Sequence, residues 1–314
     1  MPVLTRRSSL ARVRDVAAIL AAGLLVSCAQ VRVPGRAGAP TPAPRGTAAT
    51  SSAARAAPGW TVVSRVHATV LADRRTFHER DGSVVTIYRF WFGRTTYALH
   101  TGSEDPPGVA SLVGPAAGPS IAPAEARRII GAFNGGFKVA SGSGGFEVGG
   151  RVFVPLRRGL ESLVIDANGT AHVAAWGGAV PSRNERVVAV RQNLQPLVSA
   201  GRPSALVGDL AAWGDTLGGV AAPARSALGQ NARGDLLFAG SMQALPVDIA
   251  DALVAAGAVR AMELDINPDW VQLDSTPHPG GRLVAGIPSQ ERPGDQYVVG
   301  WTRDFVTVLA RTAR

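Results

Sequence analysis

The sequence predicts an α+β fold, a single domain built on mixed β-sheet with a few helices, preceded by an export signal and a flexible tether. Three observations support this class. Runs rich in β-branched and aromatic residues recur along the chain, one helix-then-strand unit is clear in its last quarter, and no period of about 20 to 50 residues repeats. With 314 residues, of which 46% are hydrophobic, the chain can bury a sizeable core.

The first half of the predicted domain is rich in strand signals. Trp60–Ala72 and Ser83–Phe92 contain many β-branched and aromatic side chains, which favour strands joined by tight turns. Further along, Asn168-Gly169 lies between two apolar runs and predicts a hairpin with a type I′ turn over Glu161–Trp176.

Two helices are predicted. A short one covers Ala122–Phe133, where Pro123 suits the first turn and a pair of isoleucines forms a buried stripe. The clearest unit comes later: Pro246 suits a helix start, Gly257 caps the end, and Val259–Leu264 is the strand that follows. The residue after that strand therefore lies at a sheet edge, where αβ folds commonly place ligands.

The formal charge of +9 is concentrated at the N-terminus. Residues 1–58 contain eight arginines and one aspartate, so seven of the nine net positive charges lie there. The predicted domain is nearly neutral, and its composition does not support a nucleic-acid-binding face.

Residues 1–28 are predicted to be a signal peptide. A positively charged segment precedes an apolar run from Val16 to Val26, shorter than the roughly 20 residues that span a bilayer. The run ends in Leu25-Val26-Ser27-Cys28, which resembles a bacterial lipobox, and Cys28 is the predicted lipidation site. An ordinary cleaved signal is the alternative, and the choice between Tat and Sec export stays open.

Residues 29–58 are predicted to be a disordered tether rich in Ala, Pro and Arg. Such a composition buries too little apolar surface to offset the entropy of ordering. The lipid and the tether together predict an exported protein anchored at the outer face of the cell membrane, with its domain, residues 59–314, in the cell envelope.

Most familiar catalytic patterns are absent from the sequence. The five histidines are scattered and form no zinc motif, and there is no nucleophile elbow, phosphate-binding loop or Rossmann fingerprint. One candidate segment is Phe133–Lys138, in which Gly135 and Gly136 let backbone N–H groups approach a ligand, Asn134 offers a donor and an acceptor, and Lys138 adds a charge.

The other two candidate segments carry charge. Ala224–Gln230 offers Arg225 as a bidentate clamp for an anionic oxygen. Ala261–Asp274 supplies carboxylates, among them Glu263 and Asp265, which share a face of a regular strand. Two such carboxylates form a pair with one raised pKa or jointly hold a divalent cation, Ca²⁺ or Mg²⁺.

The order of these segments resembles the phosphodiester glycosidase family. The resemblance runs roughly from Pro123 to Asp274 and comprises the sequences NGGF, RQNL and RSALG, then a helix, a strand and ELD. ELDINPDW is similar to an actinobacterial branch of that family. Asp265 corresponds to the family's aspartate, but Ile266-Asn267-Pro268-Asp269 stands where the family commonly has Gly-Gly-Gly-Ser. Proline has no N–H and isoleucine disfavours positive φ, so this loop lacks the donors that glycines offer.

The resemblance implies hydrolysis of a sugar joined through its anomeric carbon to a phosphodiester. It assigns Arg225, together with Lys138, to the phosphate, and Asp265 with Glu263 to the sugar. The substrate-binding candidates are Asn134, Gly135, Gly136, Lys138, Asn193, Ser226, Asn267 and Asp269.

Three functions remain open on sequence grounds. The first is an envelope-tethered hydrolase of glycosyl phosphodiester linkages in cell-wall or exopolysaccharide glycans. The second is a non-catalytic envelope lipoprotein that binds glycan or phosphoglycan on the same scaffold. The third is a structural lipoprotein that contacts protein partners through aromatic residues such as Trp91 or Trp270.

Overall fold

The computed structural model describes residues 58–109, 118–178, 180–214, 219–220 and 222–312. The predicted signal peptide, Cys28 and nearly all of the predicted tether lie outside these residues. No helix in the described part of the chain is both long enough and apolar enough to cross a membrane.

The domain is built mainly from strands. In chain order they are β1 (Thr61–Val66), β2 (Thr69–His78), β3 (Val84–Phe90), β4 (Thr95–His100), β5 (Ile129–Asn134), β6 (Phe146–Val148), β7 (Arg151–Val154), β8 (Glu161–Asp166), β9 (Ala171–Ala175), β10 (Val187–Gln192), β11 (Val198–Ser199), β12 (Arg202–Pro203), β13 (Arg225–Asn231), β14 (Leu236–Ser241), β15 (Ala258–Glu263), β16 (Leu273–Ser275), β17 (Val284–Ala285) and β18 (Phe305–Ala310). The helices are α1 (Pro123–Ala126), α2 (Pro246–Ala255) and α3 (Gln296–Val299).

These strands form three sheets. The largest has the order β1-β2-β3-β14-β13-β15-β11-β12, the second β7-β6-β10-β8-β9, and the third β17-β16-β5-β18-β4. The predicted α+β class is confirmed. All pairings between these strands are antiparallel, so the expected mixed sheet is replaced by antiparallel ones.

Both faces of the largest sheet are covered by apolar side chains. Ile87 and Ala227 point to the face on which α2 packs through Ile249 and Leu253. The neighbouring residues along the strands, such as Leu228, point to the other face, where side chains of the second and third sheets meet them. This alternation follows the two-residue period of a strand. It places any polar side chain of β13 or β15 against one of two cores.

The helix predicted over Ala122–Phe133 is wrong for most of its length. Only Pro123–Ala126 is helical, and Ile129–Asn134 forms β5, in which all six residues are buried. β5 lies between β16 and β18, so both of its edges are paired. Short apolar runs fit either a helix or a buried strand, and here the β-branched isoleucines and the two partner strands favour the strand.

The predicted hairpin and the late helix-then-strand unit are present. β8 and β9 pair as expected, but Asn168 does not have the positive φ of a type I′ turn; only Gly169 does, at 79°. The N–H of Leu245 donates to Asp248 in the first turn of α2, and Gly257, with φ of 96°, separates that helix from β15.

One buried carboxyl at the start of β8 predicts a pH-dependent stability. Both carboxylate oxygens of Glu161 are buried without a partner among the described residues, and burial raises its pKa to about 7. This folded-state pKa lies above the unfolded value. The contribution of the Glu161 carboxyl to the free energy of unfolding is therefore fully present below about pH 4.5 and is lost as the pH rises through about 7. In the wild type, this carboxyl should lower the free energy of unfolding by about 3 kcal/mol between about pH 5 and pH 8. We expect this decrease to be absent in Glu161→Gln when urea unfolding is measured at both pH values.

The control for this prediction is Glu291→Gln, because Glu291 is exposed and its replacement leaves the buried carboxyl in place. The control is expected to keep the wild-type pH dependence. If Glu161→Gln keeps it as well, the buried carboxyl is not its source.

Candidate functional site

A cavity of about 460 Å³ opens beside the C-terminal end of β15. Its lining includes Phe137, Lys138, Asp265, Asn267, Trp270 and Arg303. The sequence-based expectation that Asp265 lies at the mouth of a site therefore agrees with its position. Its exposed fraction is only 4%, so the carboxylate sits at the cavity wall with little contact with bulk water.

The carboxylate of Asp265 is held on both oxygens. Oδ1 accepts hydrogen bonds from the backbone N–H of Ile266 at 2.8 Å and of Asn267 at 2.9 Å. Oδ2 lies 3.4 Å from Nη2 of Arg303. Burial raises the pKa of Asp265 to about 6, although the Arg303 charge and the two N–H donors oppose the shift. The group is thus mainly ionised at neutral pH, with a pKa suited to proton transfer there.

Arg303 is the guanidinium of this cavity, and sequence reasoning missed it. Its Nη2 also donates to the carbonyl of Gly136 at 3.0 Å, its Nε lies 3.5 Å from Oδ2 of Asp105, and it stacks over Trp270 at 4.9 Å. The signal in the sequence was an Arg-Asp pair immediately before the last strand.

The glycines of the NGGF segment serve a packing role. The N–H of Gly135 donates to the carbonyl of Asp304 at 2.9 Å, and the N–H of Gly136 donates to its carboxylate at 3.3 Å. A Cβ on Gly135 would lie 1.8 Å from that carboxylate, so no other residue fits without displacing Asp304. Arg191 donates from Nε to the same carboxylate at 2.8 Å. These N–H groups are therefore used inside the protein and do not face the cavity.

Three predicted substrate-binding side chains lie behind the cavity and hold its wall. Asn134 donates to Oγ of Ser226 at 3.0 Å, and that oxygen accepts the N–H of Asp265 at 3.2 Å. Nδ2 of Asn193 donates to the carbonyls of Glu263 and Leu264, the latter at 2.7 Å. All three side chains are buried. Ser226 and Asn193 contact the backbone at or next to Asp265, and Asn134 acts through Ser226. Their contribution is to position the carboxylate.

Arg225 and Glu263 form a separate buried ion pair. Nη1 of Arg225 lies 2.5 Å from Oε1 of Glu263 and 3.1 Å from the carbonyl of Trp213, and its Nε donates to the carbonyl of Ala244. Burial raises the pKa of Glu263 to about 8, against the opposing charge of Arg225. Neither residue lines the cavity. The guanidinium that contacts Asp265 is that of Arg303, while Arg225 lies against the core on the face covered by α2.

Asn267 and Asp269, which stand where the related family has its glycine loop, point in different directions. Asn267 lines the cavity, and its Oδ1 accepts the N–H of Asp269 at 3.0 Å. The carboxylate of Asp269 turns to the surface, where it pairs with Arg292 at 2.6 Å. Lys138 is exposed, lines the cavity and forms no ion pair with any described residue.

The carboxylates around this cavity do not fit a divalent cation. Within the described ranges, no three His, Cys, Asp or Glu side chains come together as a metal site would require. Asp105 and Asp265 each face Arg303, and Asp304 faces Arg191. Ca²⁺ and Mg²⁺ need several oxygen ligands, and here the cationic partner of each carboxylate is already a guanidinium.

The three-sheet architecture resembles that of a phosphodiester glycosidase. One similar structure is the catalytic domain of zebrafish N-acetylglucosamine-1-phosphodiester alpha-N-acetylglucosaminidase, auto-inhibited by its pro-peptide. It aligns over 81% of this chain and 88% of its own, with 13% identity and a TM-score of 0.50. A crystal structure of a Synechocystis protein aligns over 81% of this chain and 64% of its own, with 14% identity and a TM-score of 0.48.

At such identities the likeness concerns the fold alone. The sequence matches no protein family and no curated protein when it is compared with them directly. The resemblance to phosphodiester glycosidases is therefore one of fold, and the chemistry has to be argued from the cavity itself.

Proposed function

We propose that this protein is a hydrolase that cleaves glycosyl phosphodiesters. The observation that carries the proposal is that Asp265 is the only carboxylate among the described residues that line the cavity, and that two cationic side chains, Arg303 and Lys138, line it as well. Ordinary glycosidases use two carboxylates at the scissile bond, one of which protonates the leaving oxygen. A phosphate leaves without that proton, so one carboxylate suffices for such a substrate.

Each charged group then has a role that follows from its position. Lys138 and Arg303 hold the negatively charged phosphodiester, and their cations stabilise the charge that develops on the departing phosphate. Asp265, held by two N–H donors, activates water or stabilises the positive charge at the anomeric carbon. Trp270 gives the sugar ring an aromatic face, and Trp301 packs against it with ring centres 5.1 Å apart.

Sugar release from a synthetic phosphodiester tests this proposal. The substrate joins N-acetylglucosamine through its anomeric carbon to an aryl phosphate, and full-length protein purified in detergent is assayed with and without a metal chelator. We expect release of the sugar that does not require added Ca²⁺ or Mg²⁺. Measurable binding of sugar phosphodiesters without any release would favour the non-catalytic alternative, in which the loop with Pro268 has replaced a catalytic one.

We further propose that the enzyme acts in the cell envelope on cell-wall or exopolysaccharide linkages, because the N-terminal sequence resembles a lipoprotein signal. We expect Cys28→Ala to lose membrane association when cell fractions are separated, since a lipid chain supplies most of the binding free energy of such an anchor. A Ser27→Ala protein, which keeps the cysteine, is the control. A Cys28→Ala protein that stays in the membrane fraction would contradict lipidation at this residue.

A further inference from the structure

A second cavity, of about 610 Å³, shares no lining residue with the first. It is bounded by the start of β4, the tip of the β8–β9 hairpin, and the end of β18. Two arginines line it: Arg128, which precedes β5, and Arg311, which follows β18. These arginines come from segments far apart in sequence, so the fold alone brings them to one place.

Both guanidinium groups are held by neutral oxygens. Arg128 donates from Nε to the carbonyl of Ala310 at 3.0 Å and from Nη2 to Oγ1 of Thr96 at 2.9 Å. Arg311 donates from Nη2 to Oγ1 of Thr170 at 3.1 Å. Neither arginine forms an ion pair within the part of the chain that the structure describes. The hydrogen bonds fix the orientation of the two groups but leave their charges without a counter-ion among the described residues.

Some donors of this pair remain unused. Nε of Arg311 is buried without any partner among the described residues. Asp166, the acidic residue of the neighbouring hairpin, directs Oδ1 to the backbone N–H groups of Asn168 and Thr170. A half-buried cation without a partner is unfavourable, and an anion that supplied acceptors for both guanidiniums would remove that cost.

We propose that this second cavity, which we call the two-arginine site, binds a phosphate group. A guanidinium presents parallel donors that match two oxygens of a phosphate, and two guanidiniums held by their neighbours form a preorganised clamp. The cavity volume exceeds that of a phosphate ion, so the group can be carried by a small molecule such as a sugar phosphate. The site is independent of the hydrolytic cavity and of the function proposed for it.

Isothermal titration of inorganic phosphate into the full-length protein tests the two-arginine site. We expect saturable binding, weakened about tenfold or more in Arg128→Gln and in Arg311→Gln, because each loses a charged donor pair. Arg183→Gln, which removes an exposed arginine outside both cavities, should bind as the wild type does. Binding should also persist in Arg303→Gln, which separates this site from the first cavity.

A parallel titration with glucose 1-phosphate distinguishes a site for free phosphate from a site for a phosphate group attached to a sugar. In the second case glucose 1-phosphate should bind more tightly than inorganic phosphate. Thermal unfolding in phosphate-free buffer checks that each variant is folded. Arg128→Lys keeps the positive charge but lacks the two parallel N–H donors of a guanidinium, so its affinity for phosphate should be intermediate. Absence of saturable binding to the wild type would overturn the proposal. So would binding that is lost only in Arg303→Gln, or binding that is unchanged in Arg128→Gln.

Discussion

The Asp265→Asn variant is expected to lose about 10³-fold in kcat/KM for glycosyl phosphodiester hydrolysis, the scale of a lost general base or charge stabiliser. The side-chain oxygen of asparagine can still accept the N–H groups of Ile266 and Asn267, so the loop after β15 is expected to keep its shape. What the change removes is the negative charge that the proposed reaction places beside the anomeric carbon. Release of sugar under single-turnover conditions measures the loss without interference from product release.

The same carboxylate predicts the pH dependence of the wild type. Burial raises the pKa of Asp265 to about 6, and the proposed reaction uses its ionised form, so kcat/KM should rise with pH through about 6 and level off above it. Asp251→Asn is the matched control, since Asp251 is an exposed residue of α2 away from the cavity. If Asp265→Asn retains most of the wild-type rate, the reaction does not use this carboxylate.

Replacing Arg191 by methionine is expected to lower the free energy of unfolding by about 3 to 5 kcal/mol, the usual cost of leaving one partner of a buried ion pair alone. The Arg191 side chain is 1% exposed and donates to the carboxylate of Asp304 and to the carbonyl of Gln192. Methionine fills much of the volume but leaves that carboxylate without its cation. Urea unfolding near pH 7 measures the loss.

Two further variants test whether the unpaired Asp304 carboxylate causes the loss of stability in Arg191→Met. In Arg191→Met/Asp304→Asn the negative charge is removed as well, so part of the lost stability should return. Arg292→Met breaks the partly exposed pair with Asp269 and should cost less than about 1 kcal/mol. A loss in Arg191→Met as small as that in Arg292→Met would show that the buried pair contributes little.

The features that sequence patterns predicted well are those with local causes. A proline at a helix start and a glycine at its end bound α2, and the apolar run after Gly257 becomes β15. The position of Asp265 beyond the strand follows from these signals alone. The helix predicted over Ala122–Phe133 was wrong because its apolar pair satisfies both periods, and pairing with distant strands decided between them.

The partners of the charged side chains could not be predicted in this way. Arg225 and Glu263 looked like cavity residues, but the pleat directs both to the core under α2, where they pair with each other. Arg303 carries no motif, yet β18 lies beside β5 and brings it within reach of Asp265. The two-arginine site has the same origin, because Arg128 and Arg311 lie far apart in the sequence and strand pairing brings them together.

By itself, the sequence determined the α+β class, the α2–β15 unit and the aspartate that follows it, because each rests on turn chemistry and periodicity within about twenty residues. The tertiary structure alone decided which guanidinium faces that aspartate. The physical reason is that a charge is stabilised by what lies within a few ångströms of it, and strand pairing across more than one hundred residues sets that distance here.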